Sequence, residues 1–527
     1  MRGLMMDGPL TLDAVLRRAE TIFPDREVVS RLGPAGRRRT TWGEVADRAR
    51  RLAGGLARLG VAPGDRVATL GMNSDRHLEM YFAAPLAGAV LHTINPRLHP
   101  DDLAYIVSDA GDRALMVDAD LLPVLESFRE RVDLRHVIVA GGDAGDAGVP
   151  FEEVLDDAPL PAREPDERDA AALCYTSGTT GRPKGVLYSH RALVLHSLVS
   201  AHGDAFDVRE SDTVMPVVPM FHVMAWGLPF TCSLTGAAMV MPGRWLDSAS
   251  VLAAIVEEGV TITAGVPTVW LAVLDALDAE PGARDLSRLR SVIVGGSAAP
   301  AALLEGLGRH GVPAVHAWGM TELTPLGTIS RLPPDVPDGD DAAFALRAAQ
   351  GRPIPFVEIR ARGIDGPVPW DGRAMGELEV RGPWVAGGYF GASGDPERFT
   401  DDGWFRTGDV VTIDPRGCVR ITDREKDLVK SGGEWISSVA LENALMAHPD
   451  VSEAAVIAVA DPRWQERPLA VVVLREGRKP DPDALREHLR PDFAPWWLPD
   501  RYEFVEAIPR TATGKFKKSD LRTRFGA

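Results

Sequence analysis

Residues 175–185, YTSGTTGRPKG, constrain this chain more than any other stretch, because they follow directly on the apolar run 170–174. They hold three glycines, four Ser/Thr hydroxyls and one lysine. A buried strand that ends in such a loop offers backbone N–H groups, hydroxyls and one mobile ammonium to a polyanion. Glycine permits close backbone approach and positive φ, and Lys184 adds a point charge. The loop reads as a phosphate cradle. It is not the Walker pattern, whose glycine and lysine spacing differs.

The rest of the sequence predicts an α/β fold around that loop. Trp42, Val45, Ala49, Leu52, Ala53 and Leu56 recur at helical spacing and precede the strand-like Arg66–Leu70. The same alternation returns at 251–256 then 261–265, and at 303–307 then 314–316. The continuous apolar run Ser291–Val294, ending in Gly295-Gly296-Ser297, suits a parallel sheet covered on both faces. Ligands of such sheets gather at the carboxyl ends of the strands. From about 351 to 422 short β segments with frequent Gly, Pro and Asp predict a small barrel-like subdomain. After Arg424 a compact α+β unit is expected, with helices near 439–447 and Pro482–Leu489 and strands near 454–459 and 470–474. At 527 residues the chain is too long for one core. We therefore expect a large domain of stacked α/β sheets over 1–423, its barrel-like part at about 351–423. A small α+β domain would cover 424–527.

Composition narrows the function. A net charge of −17 argues against a nucleic-acid-binding surface. It leaves small anionic substrates open, because a local basic pocket is invisible in a sum. Cys174, Cys232 and Cys418 are far apart, suit a reducing compartment and lack metal-ligand spacing. With neither a signal-peptide core nor a lipidation box in view, a cytoplasmic protein is expected. The stretch 213–243 carries no charge unless His222 is protonated. Pro216, Pro219, Pro229 and Pro242 interrupt it, so it reads as core and ligand-pocket wall rather than a membrane span.

Four later motifs follow the loop: WGMTE at 318–322, RTGD at 406–409, DREKDLVKSGGEWISS at 423–438 and PRTATGK at 509–515. Together, and in this order, they resemble the signature motifs of the adenylate-forming superfamily of AMP-binding enzymes. The GGEW form is closest to fatty-acyl and other medium- to long-chain acyl-CoA synthetases. The resemblance implies ATP-dependent activation of a hydrophobic carboxylic acid to acyl-AMP with release of pyrophosphate, then transfer of the acyl group to coenzyme A. A carboxylate resists nucleophiles because oxide is a poor leaving group. A mixed anhydride with AMP removes that obstacle, provided the protein screens three phosphates and stabilises the pentavalent phosphorus.

Residue by residue, the resemblance implies that Thr176, Ser177, Gly178, Thr179, Thr180 and Lys184 grip the β- and γ-phosphates. Glu322 would ligate Mg²⁺, a hard ion that takes carboxylate and phosphate oxygens. Thr321 would donate to the α-phosphate. Asp409 would accept both ribose hydroxyls through its two oxygens, with Arg424 as a second ribose and phosphate contact and Ile421 beside it. Trp318, leading into Gly319 and Met320, would offer adenine a flat face, and Gly295, Ser297 and Ala298 would line the other side. Lys515 would bridge the carboxylate and α-phosphate oxygens during adenylation. Taken singly, Glu322 reads as a solvated loop carboxylate, Asp409 as a turn residue, Trp318 as core and Lys515 as an exposed tail lysine. The motif context carries the functional readings.

For the second step, the resemblance implies rotation of the small domain about Lys426. Lys430, Ser431, Gly432, Gly433, Glu434 and Trp435 would then face the adenylate, the glycines admitting the pantetheine arm of CoA. His222, Trp226, Val266, Thr268 and Gly327 are the expected acyl-pocket residues. Met224 departs from the Asn common in that motif, exchanging an amide for a flexible thioether. Two alternatives stay open on sequence: a relative that performs one half-reaction only, or a non-catalytic acyl- or nucleotide-binding sensor. Close relatives imply a possible homodimer.

Overall fold

The computed structural model describes residues 1–527 except 2, 34–35, 158–165, 177–181, 338, 340, 364–365, 392–394, 432–433, 511–515 and 527, and the side chains of 341 and 434. By contact the chain divides into two compact units. The first comprises Met1–Glu358 and Arg381–Phe405, the second Ile359–Val380 and Arg406–Ala527.

The first unit is built on two large sheets. A seven-stranded sheet runs in the order Val149–Pro150, His136–Ala140, Asp112–Asp118, Arg66–Leu70, Val90–Thr93, Ala170–Tyr175, Gly185–Ser189. Its strands are parallel except the last, which turns back antiparallel on Ala170–Tyr175. A nine-stranded sheet is parallel through its centre, from Ala314–Gly319 across Ser291–Val294, Ile262–Gly265, Thr213–Pro216 and Ala238–Met241 to Glu27–Arg31. Antiparallel strands close both edges.

The predicted periodicities form as elements. Helix Trp42–Arg58 starts at Thr41, whose hydroxyl accepts from the Glu44 N–H while the Glu44 carboxylate accepts from the Thr41 N–H. Its apolar stripe is buried from Trp42 to Leu56, and the Trp42 indole N–H donates to the Ala237 carbonyl at 2.9 Å. Every residue of Ser291–Val294 is buried, as expected of a central parallel strand. The uncharged stretch 213–243 resolves into strand Thr213–Pro216, a short turn, helix Leu228–Thr235 and strand Ala238–Met241. Among the described residues, no helix is long and apolar enough to cross a membrane.

The second unit holds a five-stranded sheet, ordered Gly366–Pro367, Glu358–Gly363, Gly376–Arg381, Phe405–Ile413, Val419–Arg424, in the region expected to be barrel-like. A second sheet around the long hairpin Val451–Asp461 and Gln465–Leu474 carries helices Ser438–Ala447, Pro482–Leu489 and Lys518–Phe525. The five-stranded sheet therefore belongs with the C-terminal part, whereas the sequence leads us to expect a boundary at 423/424. The reason is local: the Asp423 carboxylate, on the last strand of that sheet, accepts from Ser438 N–H and Ser438 Oγ at the start of helix Ser438–Ala447. Two apolar clusters, however, lie wholly within 429–525, so the C-terminal part owns its core.

Candidate active site

Parallel strands deliver the expected nucleotide and acyl residues to one edge of the nine-stranded sheet. Gly295–Ala298 follow Ser291–Val294, Met320–Glu322 follow Ala314–Gly319, Val266 and Thr268 follow Ile262–Gly265, and His222 and Trp226 lie beyond Thr213–Pro216. Since these strands are parallel, all four connections leave from carboxyl ends. Gly295 and Gly296 are required by contact. A Cβ on Gly295 would stand 2.7 Å from the Ala317 carbonyl and 3.1 Å from the Trp226 ring, and one on Gly296, at φ +80°, would stand 3.2 Å from Val266. Trp226, Val266 and the glycines thus meet. Likewise, a Cβ on Gly327 would come within 2.5 Å of the Trp318 ring, which ties an expected acyl residue to the expected adenine platform. Ser297, Ala298 and Thr268 are exposed, and His222 is half-buried.

The segment around Trp226 has a backbone that the sequence did not announce. Val223, Met224, Ala225 and Trp226 have φ of 37°, 43°, 50° and 56°, followed by Gly227 at 75°. A left-handed turn costs roughly 1–2 kcal/mol for each L-residue, so its surroundings must hold it. His196 is one such support. A Cβ on Gly227 would lie 2.6 Å from its Nδ1, and its Nε2 accepts the Leu326 N–H at 3.3 Å, leaving the ring proton on Nδ1. Full burial pushes this imidazole down to about 3, so it is neutral.

At the phosphate loop, Ser177, Gly178, Thr179 and Thr180 lie outside the described residues. The neck of the loop is defined: Thr176 N–H donates to the Lys184 carbonyl at 2.9 Å and Lys184 N–H to Thr176 Oγ1 at 3.1 Å. Lys184 Nζ pairs with Asp395 Oδ2 at 2.7 Å and sits over the Tyr389 ring, 5.1 Å from its centroid. The Tyr389 hydroxyl in turn donates to Glu322 Oε1 at 2.7 Å. The predicted cation and the predicted metal-binding carboxylate are thereby joined through one aromatic residue. Thr321 and Glu322 are buried, the Tyr188 hydroxyl donates to the Thr321 carbonyl at 2.6 Å, and the Ala386 N–H donates to the Glu322 carbonyl at 2.7 Å. Tyr389, Asp395, Tyr188 and His196 are functional candidates that the sequence reading missed. Only Tyr389 left a trace there, an aromatic pair behind Gly387-Gly388.

These donors fit Mg²⁺. Among the described residues no group of three or more His, Cys, Asp or Glu is placed to hold a metal. One buried carboxylate, Glu322, linked through Tyr389 to the Lys184 ammonium suits an ion that would take most of its ligands from phosphate and water.

The second unit contributes its own residues. Asp409 and Arg424 face each other on antiparallel strands, with Arg424 Nε 2.6 Å from Asp409 Oδ1. Asp409 is almost fully buried, and Ile421 is half-buried on the same strand as Arg424. Lys430, Ser431 and Trp435 lie on a hairpin, Lys430 opposite Trp435 in register. Ser431 is buried and receives Arg467 Nη1 at 3.3 Å, while Lys430 Nζ is 3.9 Å from Glu425. Gly432 and Gly433 lie outside the described residues, as does the Glu434 side chain. Lys426 is exposed in a turn, and its carbonyl accepts Arg522 Nη2 at 2.9 Å. Lys515 also lies outside the described residues. The base of its loop is closed by an Arg510–Phe516 bridge and by Lys517 N–H donating to the Pro509 carbonyl at 2.7 Å.

Comparison with known proteins adds the context. Residues 16–390 match the model of the AMP-binding enzyme family, and residues 440–515 that of the AMP-binding enzyme C-terminal domain. A long-chain-fatty-acid–CoA ligase of Thermus thermophilus is 52% identical over 99% of this chain and 96% of its own length. A 3-methylmercaptopropionyl-CoA ligase of Ruegeria lacuscaerulensis is 44% identical over 100% of this chain and 99% of its own. The crystal structure of an anthranilate CoA ligase with anthranoyl-AMP superposes with a TM-score of 0.82 at 28% identity, covering 98% of both chains.

Proposed function

Because this chain belongs to the AMP-binding enzyme family and is an ATP-dependent acyl-CoA ligase, we propose that it activates a hydrophobic carboxylic acid with the residues assembled above. The observation that carries this reading is the Lys184–Tyr389–Glu322 chain at the neck of the phosphate loop. A cation and a buried carboxylate linked in this way support a grip on a triphosphate and its Mg²⁺.

In the first half-reaction a substrate carboxylate oxygen bonds to the α-phosphorus of ATP and the bond to pyrophosphate breaks. Lys184 and Thr176, at the neck of the loop, would hold the leaving pyrophosphate, Thr321 would donate to the α-phosphate, and Glu322 would hold Mg²⁺, which when bound would supply charge to offset the phosphates. Asp409 and Arg424 orient the ribose, and Trp318 carries the adenine. Lys515 bridges the reacting oxygens. In the second half-reaction the CoA thiol loses its proton, its sulfur bonds to the acyl carbon and AMP leaves. Lys430 and residues 431–435 form the passage for the pantetheine arm after the C-terminal part turns about Lys426. A hydrophobic acid is favoured by the walls at Trp226, Val266 and Met224, all uncharged.

Two assays test the reading. CoA-thioester mass spectrometry across aliphatic, aromatic and polycyclic acids is expected to favour long or bulky apolar acids; preference for short polar acids would refute the substrate class. Lys515→Ala is expected to reduce acyl-adenylate formation by about a hundredfold or more, the scale of one transition-state donor. Thioester formation from supplied adenylate should survive. Equal loss in both steps would refute its role.

A further inference from the structure

We propose that Tyr389 and Asp395, on the described parts of the segment between Arg381 and Phe405, complete the triphosphate subsite: Tyr389 is a positioning residue that fixes Glu322 against Lys184, and Asp395 is the anion that a triphosphate displaces from Lys184. The proposal rests on the assignment of Lys184 and Glu322 to the triphosphate and its Mg²⁺.

This segment is docked in the first unit at several points. Ala386 N–H donates to the Glu322 carbonyl, Phe390 N–H to the Gly185 carbonyl at 2.8 Å, and Thr324 Oγ1 to the Trp384 carbonyl at 2.7 Å. Trp384 is buried and returns a bond from its indole N–H to the Leu326 carbonyl. Tyr389 is therefore held by backbone on both sides, and its two contacts act in different ways. The hydroxyl at 2.7 Å fixes the rotation of the Glu322 carboxylate. The ring face under Lys184 Nζ favours the ammonium and limits where its stem can lie.

Asp395 has the opposite character. Its Oδ2 lies 2.7 Å from Lys184 Nζ and 3.8 Å from Arg398 Nε, so one carboxylate serves two cations. A carboxylate oxygen at that distance stands where a phosphate oxygen would take its charge-assisted bond. The residue sits at the start of a short turn, Pro396–Arg398, and its side chain is about one-third exposed, so it can swing out. A triphosphate brought beside it meets like charge until it does.

Titration calorimetry on the full chain tests both parts, with inorganic pyrophosphate as the probe in the presence and absence of Mg²⁺. Asp395→Asn is expected to tighten pyrophosphate binding about two- to fivefold, since it removes a competing anion. The sign matters, because a merely structural role gives weaker binding. Tyr389→Phe is expected to weaken the Mg²⁺-dependent part about tenfold, the usual worth of a hydrogen bond to a charged group. Binding without Mg²⁺ should change far less. Unchanged or weaker binding in both Asp395→Asn and Asp395→Ser overturns the displacement, and an unaltered Mg²⁺ response in Tyr389→Phe overturns the positioning role. Lys184→Ala and Glu322→Gln separate this from the underlying assignment. If both bind pyrophosphate and Mg²⁺ as the parent does, that assignment fails and the proposal falls with it. If they bind more weakly while the Asp395 and Tyr389 variants behave as the parent, only the proposal fails.

Discussion

Gly227 has no room for a side chain. Its φ of 75° already lies in the region that costs an L-residue, and a methyl group would meet the His196 ring at 2.6 Å. Gly227→Ala is expected to destabilise the protein by about 2–5 kcal/mol, the sum of backbone strain and overpacking, measured by urea unfolding. A change below 0.5 kcal/mol would mean that the left-handed turn relaxes at no cost. Gly327→Ala acts differently. Its methyl group would strike Trp318 at 2.5 Å and Leu323 at 2.7 Å, displacing the proposed adenine platform. The KM for ATP is expected to rise about tenfold, as when one stacking contact of 1–3 kcal/mol is impaired, with CoA kinetics little altered. Lys184 and Glu322 could be picked out in the sequence because each sits in a dense local motif. Tyr389 could not, because it meets Glu322 across a separation of 67 residues, which no local pattern encodes.

Secondary structure was easiest to read where burial repeats. Arg66–Leu70, Ser291–Val294 and Pro482–Leu489 have the bounds that their apolar runs and flanking Gly or Pro predict. The turn at Val223–Gly227 was opaque because the sign of φ leaves no mark on hydrophobic periodicity. Tertiary links between elements were equally hidden, as helix Lys518–Phe525 illustrates. The Lys518 side chain is only 9% exposed, donates to Ser438 Oγ at 2.7 Å and pairs with Glu442 at 2.5 Å, while Arg522 binds the Lys426 carbonyl and the Asp427 carboxylate. The last helix is clamped to the segment around Lys426 and to helix Ser438–Ala447 together. Lys518→Met is expected to cost about 3–5 kcal/mol, because it strands the Glu442 carboxylate in the core. Adding Glu442→Leu should restore most of that loss. Additive destabilisation in the double variant would show that the pair is not coupled.

Protonation across the first unit sets its acid response. His196 and His77 are held at about 3 and about 4, against 6.5 for a free ring, because burial disfavours the cation. Unfolding lets both take up protons, so stability is lost as pH falls below 6.5 toward those values. Glu79 and Asp118, raised to about 7 and about 6 by burial, oppose this, since their stabilisation is present at low pH and lost as pH rises through their folded values. Comparing the parent with His196→Gln cancels the opposing acids. Between pH 7 and pH 5 the parent is expected to lose about 2 kcal/mol more than the variant, read from denaturant unfolding at both pH values. Equal losses would place the imidazole proton elsewhere.

The route of the chain has a further outcome for synthesis and dissection. The polypeptide enters the second unit at Ile359, leaves it after Val380 to lay Tyr389 and Asp395 beside the phosphate loop, and re-enters at Arg406. No single scission separates the two halves cleanly. A ribosome must release residues beyond 405 before the first unit has all its parts, so that unit is completed late. A protease nick between 391 and 404 would cut the chain between Tyr389 and its return to the second unit, loosening the proposed phosphate subsite.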